Sequence, residues 1–176
     1  MDKYAIMQVL GEGAFGKVVK AQNKKTQDVV AIKQIKTDFK TWEECLQLRE
    51  LKSLKKLKRL PYIVSLQELI RDRNQLYFVF EFKQPNLADK ISNQRDNFTP
   101  KDIVQIMFGL LTGLAAMHRS GFFHRDIKPE NLLCDPGGAN LRIADFGLAR
   151  EVRSRPPYTD YVSTRWYRAP ECLLRA

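Results

Sequence analysis

A chain of 176 residues, 44% hydrophobic and 28% charged, is long enough for one buried core and too rich in apolar and aromatic residues to be disordered. Its formal charge of +10 would admit nucleic acid, acidic lipid or a phosphorylated ligand. Much of that excess lies between Arg49 and Arg59, where Lys52, Lys55, Lys56 and Lys58 read as a solvated helix face, so no nucleic-acid partner is expected.

Cys45, Cys134 and Cys172 are widely spaced and form no C-x-x-C pair, which fits a reducing compartment without structural disulfides. His118 and His124 are the only histidines, too few for a zinc site. The N-terminus lacks a secretory pattern, Asp2 excludes myristoylation, and no apolar run reaches membrane-spanning length. The expectation is a soluble cytoplasmic chain without membrane insertion.

In chain order, residues 4 to 36 predict a strand meander. Tyr4 to Leu10 runs into Gly11-Glu12-Gly13-Ala14-Phe15-Gly16, then Lys17 to Ala21, a turn at Asn23 to Thr26, and a strand from Val29 to Ile35. A G-x-G-x-x-G alone fits a plain hairpin or a dinucleotide fold, but the latter needs a helix directly after the glycines. Val18 and Val19 are β-branched, and the short span before Val29 suits a hairpin. The glycines then make a flap whose backbone can approach phosphates.

Lys33 interrupts an apolar strand, Val30-Ala31-Ile32-Lys33. It either points outward or meets an anion. Thr41 with Glu44 makes a capping box that opens a helix from Trp42 to about Leu57. Glu50 is the one charge in its Leu46, Leu54, Leu57 stripe and is the natural partner of Lys33.

Strands are expected over Ile63 to Leu69 and Gln75 to Phe82, joined by Arg71 to Asn74. Strand signal yields to helix signal at Glu81 to Pro85, a hinge whose strand edge can pair with an adenine. A short helix covers Leu87 to Asn93. A long one runs from Pro100 to Arg119, with Thr99 as N-cap and Ile103, Ile106, Met107, Leu110, Leu114 and Met117 as its core stripe. His118 near its end reads as a dipole interaction.

The chemistry concentrates between His124 and Arg150. Phosphoryl transfer needs a carboxylate to accept a hydroxyl proton and another to hold a metal. Asp126 is the candidate base, Lys128 the charge neutraliser, and Asn131 and Asp145 the candidate Mg²⁺ ligands. A hairpin from Leu132 to Ile143, turning at Pro136-Gly137-Gly138, would set Asn131 beside Asp145. Each acid alone is more commonly a surface aspartate; the set in this order is not.

These motifs, with Val30-Ala31-Ile32-Lys33, Glu50, Asp145-Phe146-Gly147 and Ala169-Pro170-Glu171, resemble the eukaryotic protein kinases along almost the whole chain. The resemblance implies an α+β bilobal fold. Residues 1–80 would form an N-lobe with an antiparallel sheet and one helix, 81–85 the hinge, and 86–176 an incomplete helical C-lobe. It implies ATP and Mg²⁺ as cofactors, with ATP against Leu10, Gly11, Gly13, Gly16, Val18, Ala31, Lys33, Glu81, Lys83 and Leu133.

Thr159 to Glu171 is similar to the MAP-kinase and cyclin-dependent-kinase branch, and Thr159-Asp160-Tyr161 to its male-germ-cell-associated and intestinal-cell kinase group. That implies protein substrates with Ser/Thr-Pro sites, an upstream activating kinase, and a place in a cilium, a flagellum or the nucleus. Thr159 and Tyr161 would be phosphorylated. Arg49, Arg125 and Arg150 would receive the first phosphate, and Arg165 and Arg168 the second. The chain reaches Ala176 soon after Pro170, so the later helices of the large lobe are expected to be missing. The apolar face of the long helix would then lose cover. An active kinase read incompletely, and a short product that binds nucleotide or partners with little transfer, both remain open.

Overall fold

The computed structural model describes residues 1–13, 16–83, 85–93, 98–135, 140–155 and 165–174. Its first half is a five-stranded antiparallel sheet in the order β1-β2-β3-β5-β4, formed by Tyr4–Gly13, Gly16–Asn23, Val29–Asp38, Leu66–Asp72 and Gln75–Glu81 for β1, β2, β3, β4 and β5. Asn23 turns the chain between β2 and β3, its side-chain oxygen accepting the Lys25 and Thr26 backbone N–H groups. Arg73 and Asn74, both at positive φ, close the β4–β5 hairpin in two residues.

Alternation along β3 sorts its side chains. Val30 and Ile32 join Val19, Ala21 and Val79 in a small core on one sheet face. Ala31 and Lys33 face the cleft on the other. The main core runs without a break from the sheet and helices of this half into the second half. It includes Leu51, Leu54, Phe78, Ile63, Met117, Ile143 and Phe146.

The expected single helix from Trp42 is two pieces, α1 over Trp42–Gln47 and α2 over Arg49–Lys56, broken at Leu48, whose backbone is extended (φ −55, ψ 128). Thr41 and Glu44 do form the capping box. The break has a packing reason. On one continuous helix of 3.6 residues per turn, Cys45 and Leu54 would face opposite sides, with Arg49 and Lys52 beneath Cys45. Rephasing at Leu48 buries Cys45, Glu50, Leu51 and Leu54 together and leaves Arg49 and Lys52 exposed.

The strand expected from Ile63 begins only at Leu66. Residues 62 to 64 bond instead to the second half: Ile143 donates to the Tyr62 carbonyl (2.8 Å) and Val64 donates to the Ile143 carbonyl (3.0 Å).

The second half contains α3 (Leu87–Ser92) and α4 (Pro100–Arg119), the latter capped by Thr99 and Asp102. Short ladders follow: β6 (Phe122–Phe123) pairs with β9 (Arg150–Glu151), and β7 (Leu132–Leu133) with β8 (Arg142–Ile143). Residues Pro170–Leu174 form α5. The turn of the β7–β8 hairpin, expected at Pro136 to Gly138, lies outside the described residues.

The buried face of α4 keeps most of the apolar stripe read in the sequence, with Leu110 and Leu114 packed against the core, and adds small residues to it. Ile106 and Met117 are buried, but so are Gly109, Gly113 and Ala116, while Ile103 and Met107 are 52% and 45% exposed. The helix lies so close to Tyr62, Leu141 and Ile143 that a Cβ at Gly113 would sit 2.9 Å from the Ile143 side chain. Glycines hold the closest contact, and Ile103 and Met107 are turned outward. Among the described residues no helix is long and apolar enough to cross a membrane.

Candidate active site

A cleft of about 550 Å³ opens between the sheet and the helical half. Leu10, Gly11 and Val18 line it from the β1–β2 flap, Ala31 and Lys33 from β3, Glu50 from α2, and Glu81 and Lys83 from the hinge. Asn131, Leu133 and Asp145 line it from below. Gly13 and Gly16 are not part of that lining. Gly16 has a different reason to be glycine: at φ +145 an added Cβ would lie 1.9 Å from the Gln34 carbonyl oxygen of β3. Strand packing against β3 is therefore a reason for glycine at this position beside the phosphate approach expected of the loop. Gly11 and Gly13 have open space where a Cβ would be.

Lys33 is 7% exposed, and its Nζ donates to Glu50 Oε1 at 2.7 Å and to Asp145 Oδ1 at 2.8 Å. The expected Lys33–Glu50 pair is present. The second partner was not legible, because Asp145 is distant in sequence and reads there only as a metal ligand. Burial opposes the Lys33 charge, but the two carboxylates outweigh it and hold the ammonium above its ordinary pKa. Burial pushes the Glu50 carboxyl up against the pull of Lys33. Burial also opposes the Asp145 charge, but Lys33 and the Gly147 N–H hold that carboxyl below its ordinary range.

Asp145 reaches Lys33 because its backbone is left-handed (φ 61, ψ 79) at the start of a 3₁₀ turn over Phe146–Leu148. Phe146, 1% exposed, anchors that turn, edge-on to His124 with ring centroids 5.2 Å apart. His124 is 2% exposed. The Asp126 backbone N–H donates to its Nδ1 (3.2 Å), so Nε2 carries the proton and donates to the Ala144 carbonyl (2.9 Å). Burial lowers its pKa and keeps the ring neutral. The sequence assigned His124 no task; the structure makes it the tie between the Asp126 and Asp145 loops.

Asp126, 6% exposed, accepts from Asn131 Nδ2 at its Oδ2 (3.0 Å) and again at its backbone carbonyl (2.8 Å). Lys128 Nζ lies 3.1 Å from the same Oδ2. The β7–β8 ladder and an Ala144 N–H to Asn131 carbonyl bond bring Asn131 and Asp145 to one side of the cleft, as the hairpin reading expected.

Arg125, at φ 69, donates from Nε to the Leu148 carbonyl. Burial lowers its pKa first, and the charges of Arg150 and Arg49 lower it further. Arg150 donates to Ser154 Oγ and to the Arg155 carbonyl. Arg165 lies in a 3₁₀ turn and Arg168 just beyond it. Thr159 and Tyr161 lie outside the described residues.

Residues 4–176 match the protein kinase domain family. The chain belongs to the protein kinase family. This kinase domain is 53% identical over 176 residues to serine/threonine-protein kinase ICK of Rattus norvegicus and 52% identical over 176 residues to serine/threonine-protein kinase MAK of Mus musculus. It is 50% identical over 176 residues to cyclin-dependent kinase F-3 of Oryza sativa subsp. japonica. All of this chain is covered, against 28%, 28% and 40% of the respective relatives. The five-stranded sheet with its helices is the N-lobe, and the helical half a partial C-lobe. Val64, Phe80 and Ala144 also line the kinase cleft, as do Asn86, Asp89 and Glu130. Sequence reasoning missed these because their apolar or polar character matches any strand or loop; only their convergence on one cavity marks them.

Proposed function

We propose that this chain carries the nucleotide-binding and phosphoryl-transfer groups of an ATP-dependent serine/threonine protein kinase. The observation that carries the reading is Lys33, whose ammonium joins Glu50 and Asp145 at 2.7 and 2.8 Å across three separate elements at the cleft wall. A cation fixed at that point aligns nucleotide phosphates. Asp126 orients the acceptor hydroxyl and takes its proton, and Lys128 offsets charge on the transferred group.

The donor set suits Mg²⁺. Asn131 commits its amide N–H groups to Asp126, which leaves its side-chain carbonyl oxygen as the acceptor that would hold a cation. The Asp145 carboxylate keeps an oxygen beyond the one held by Lys33. Both are hard oxygen ligands that line the cleft. A bound Mg²⁺ would neutralise phosphate charge.

Substrates with proline after the target residue, activation by an upstream kinase at Thr159 and Tyr161, and work in the cytoplasm, a cilium or flagellum, or the nucleus complete the proposal. They are supported by the likeness to ICK and MAK, and the activation step also by Arg125, which feels the charges of Arg150 and Arg49.

A second reading, nucleotide or partner binding with little transfer, is favoured by one observation. Ile103, Val104, Met107, Phe108 and Leu111 are 45–66% exposed on α4. The two readings separate on a single assay with a basic Ser-Pro peptide and MgATP. Transfer that disappears in Asp145→Asn supports the kinase. ATP binding without transfer supports the second reading, and no ATP binding defeats the kinase and the nucleotide-binding form of the second reading.

A further inference from the structure

Two ion pairs cross from the hinge to the β7–β8 hairpin. Arg142 Nε lies 3.6 Å from Glu81 Oε1, and that oxygen also accepts the Ser65 backbone N–H at 3.2 Å. Lys83 Nζ lies 3.2 Å from Asp135 Oδ1, and the Asn140 side-chain amide donates to the other Asp135 oxygen. Beside Asp135, the Cys134 N–H donates to the Pro85 carbonyl at 3.1 Å. The hairpin also bonds residues 62 to 64 through Ile143, so it is tied to the N-lobe side in two places.

We propose that Asp135 and Arg142 are positioning residues that brace the hinge against the hairpin carrying the metal-binding loop. Asn131 leads directly into β7, and Ala144 and Asp145 follow directly from β8. Glu81 and Lys83 line one part of the cleft, and Asn131 and Asp145 another. One small hairpin therefore sets the spacing between the end that would take the base of a nucleotide and the end that would take its phosphates. Each pair alone, with side chains 25–33% exposed, would contribute little. Their effect comes from sharing one element with a backbone bond, so fixing either pair lowers the ordering cost of the other. The Asp135 carboxyl is held below its ordinary range, first by Asn140 and then, against some burial, by Lys83, so the pair stays charged at neutral pH.

The inference rests on the nucleotide-binding reading, and its test separates the two. The intact chain is compared with Asp135→Asn, Arg142→Ala, their double variant and Arg142→Lys. ATP with Mg²⁺ is titrated calorimetrically at low and high salt. Amide exchange at Val64, Cys134 and Ile143 is followed without nucleotide. The double variant is expected to bind ATP about three- to tenfold more weakly at low salt. The gap should narrow at about 0.5 M salt, where exposed pairs are screened. Arg142→Lys should recover most of the single-variant loss, and exchange at Cys134 and Ile143 should quicken in the double variant. Unchanged or tighter binding with unchanged exchange overturns the brace. A wild-type chain that fails to bind ATP overturns the functional reading instead, and the exchange measurement still decides the brace.

Discussion

Replacing Lys33 by methionine removes the ammonium between two carboxylates and leaves Glu50 and Asp145 facing a buried point. Both contacts are short, at 2.7 and 2.8 Å, and the Lys33 and Glu50 side chains are only 9% and 10% exposed. Breaking a buried pair by removing one partner costs about 3–5 kcal/mol. That is a large share of the roughly 5–15 kcal/mol that stabilises an ordinary domain.

Glu50 can limit the cost by keeping a proton, since burial already pushes its carboxyl up. The sign follows from linkage. A carboxyl whose folded pKa lies above its unfolded value favours the folded state below the unfolded value. It loses that advantage as pH rises through the folded value. Lys33→Met should therefore be closest to wild type near about pH 5 and furthest below it near about pH 8. Lys33→Met/Glu50→Gln should regain most of the stability, while phosphoryl transfer stays lost in both. Denaturant unfolding at the two pH values, beside a MgATP transfer assay, reads each part. A Lys33→Met chain whose deficit is equal at both pH values would refute the buried carboxylate argument. One that still transfers phosphate would sink the role given to Lys33.

Three further outcomes are expected. Gly16→Ala should lose about 2 kcal/mol or more in unfolding, because its Cβ would meet the Gln34 carbonyl at 1.9 Å and φ is +145. Gly13→Ala should stay within about 1 kcal/mol of wild type, and equal losses would contradict the packing account. His124 is held neutral by burial, so its contribution is complete above its unfolded value of 6.5 and declines as pH falls through it, with a slope of at most about 1.4 kcal/mol per unit. His124→Asn should flatten that slope; an unchanged slope would assign the acid sensitivity elsewhere. Thr159→Ala should lower phosphoryl transfer about tenfold or more without weakening ATP binding, since the proposed phosphate there would supply charge for Arg49, Arg125 and Arg150. Equal turnover of phosphorylated and unphosphorylated chains would remove that switch.

Much of the site was legible because its chemistry is written locally. Glu50 stood out as a charge within an apolar stripe, and Thr41, Thr99 and Pro100 marked helix starts by hydrogen-bonding rules that involve only near neighbours. The β1–β2 hairpin was readable from β-branched residues and spacing. What failed to read was phase and distance. The Leu48 break, the late start of β4 and the glycine face of α4 all arise where two elements compete for the same volume, and no window of one strand or helix contains that competition.

The sequence by itself determined the chemical inventory: two lysines, Lys33 and Lys128, four oxygen-bearing side chains at Glu50, Asp126, Asn131 and Asp145, and flanking arginines. Side-chain chemistry and short-range spacing suffice for that. Only the tertiary structure decided that Lys33 answers to two carboxylates, that His124 ties the two loops together, and that Gly16 serves the sheet. Each depends on groups far apart in the chain brought to within a hydrogen bond or a van der Waals contact by a core that runs through both lobes.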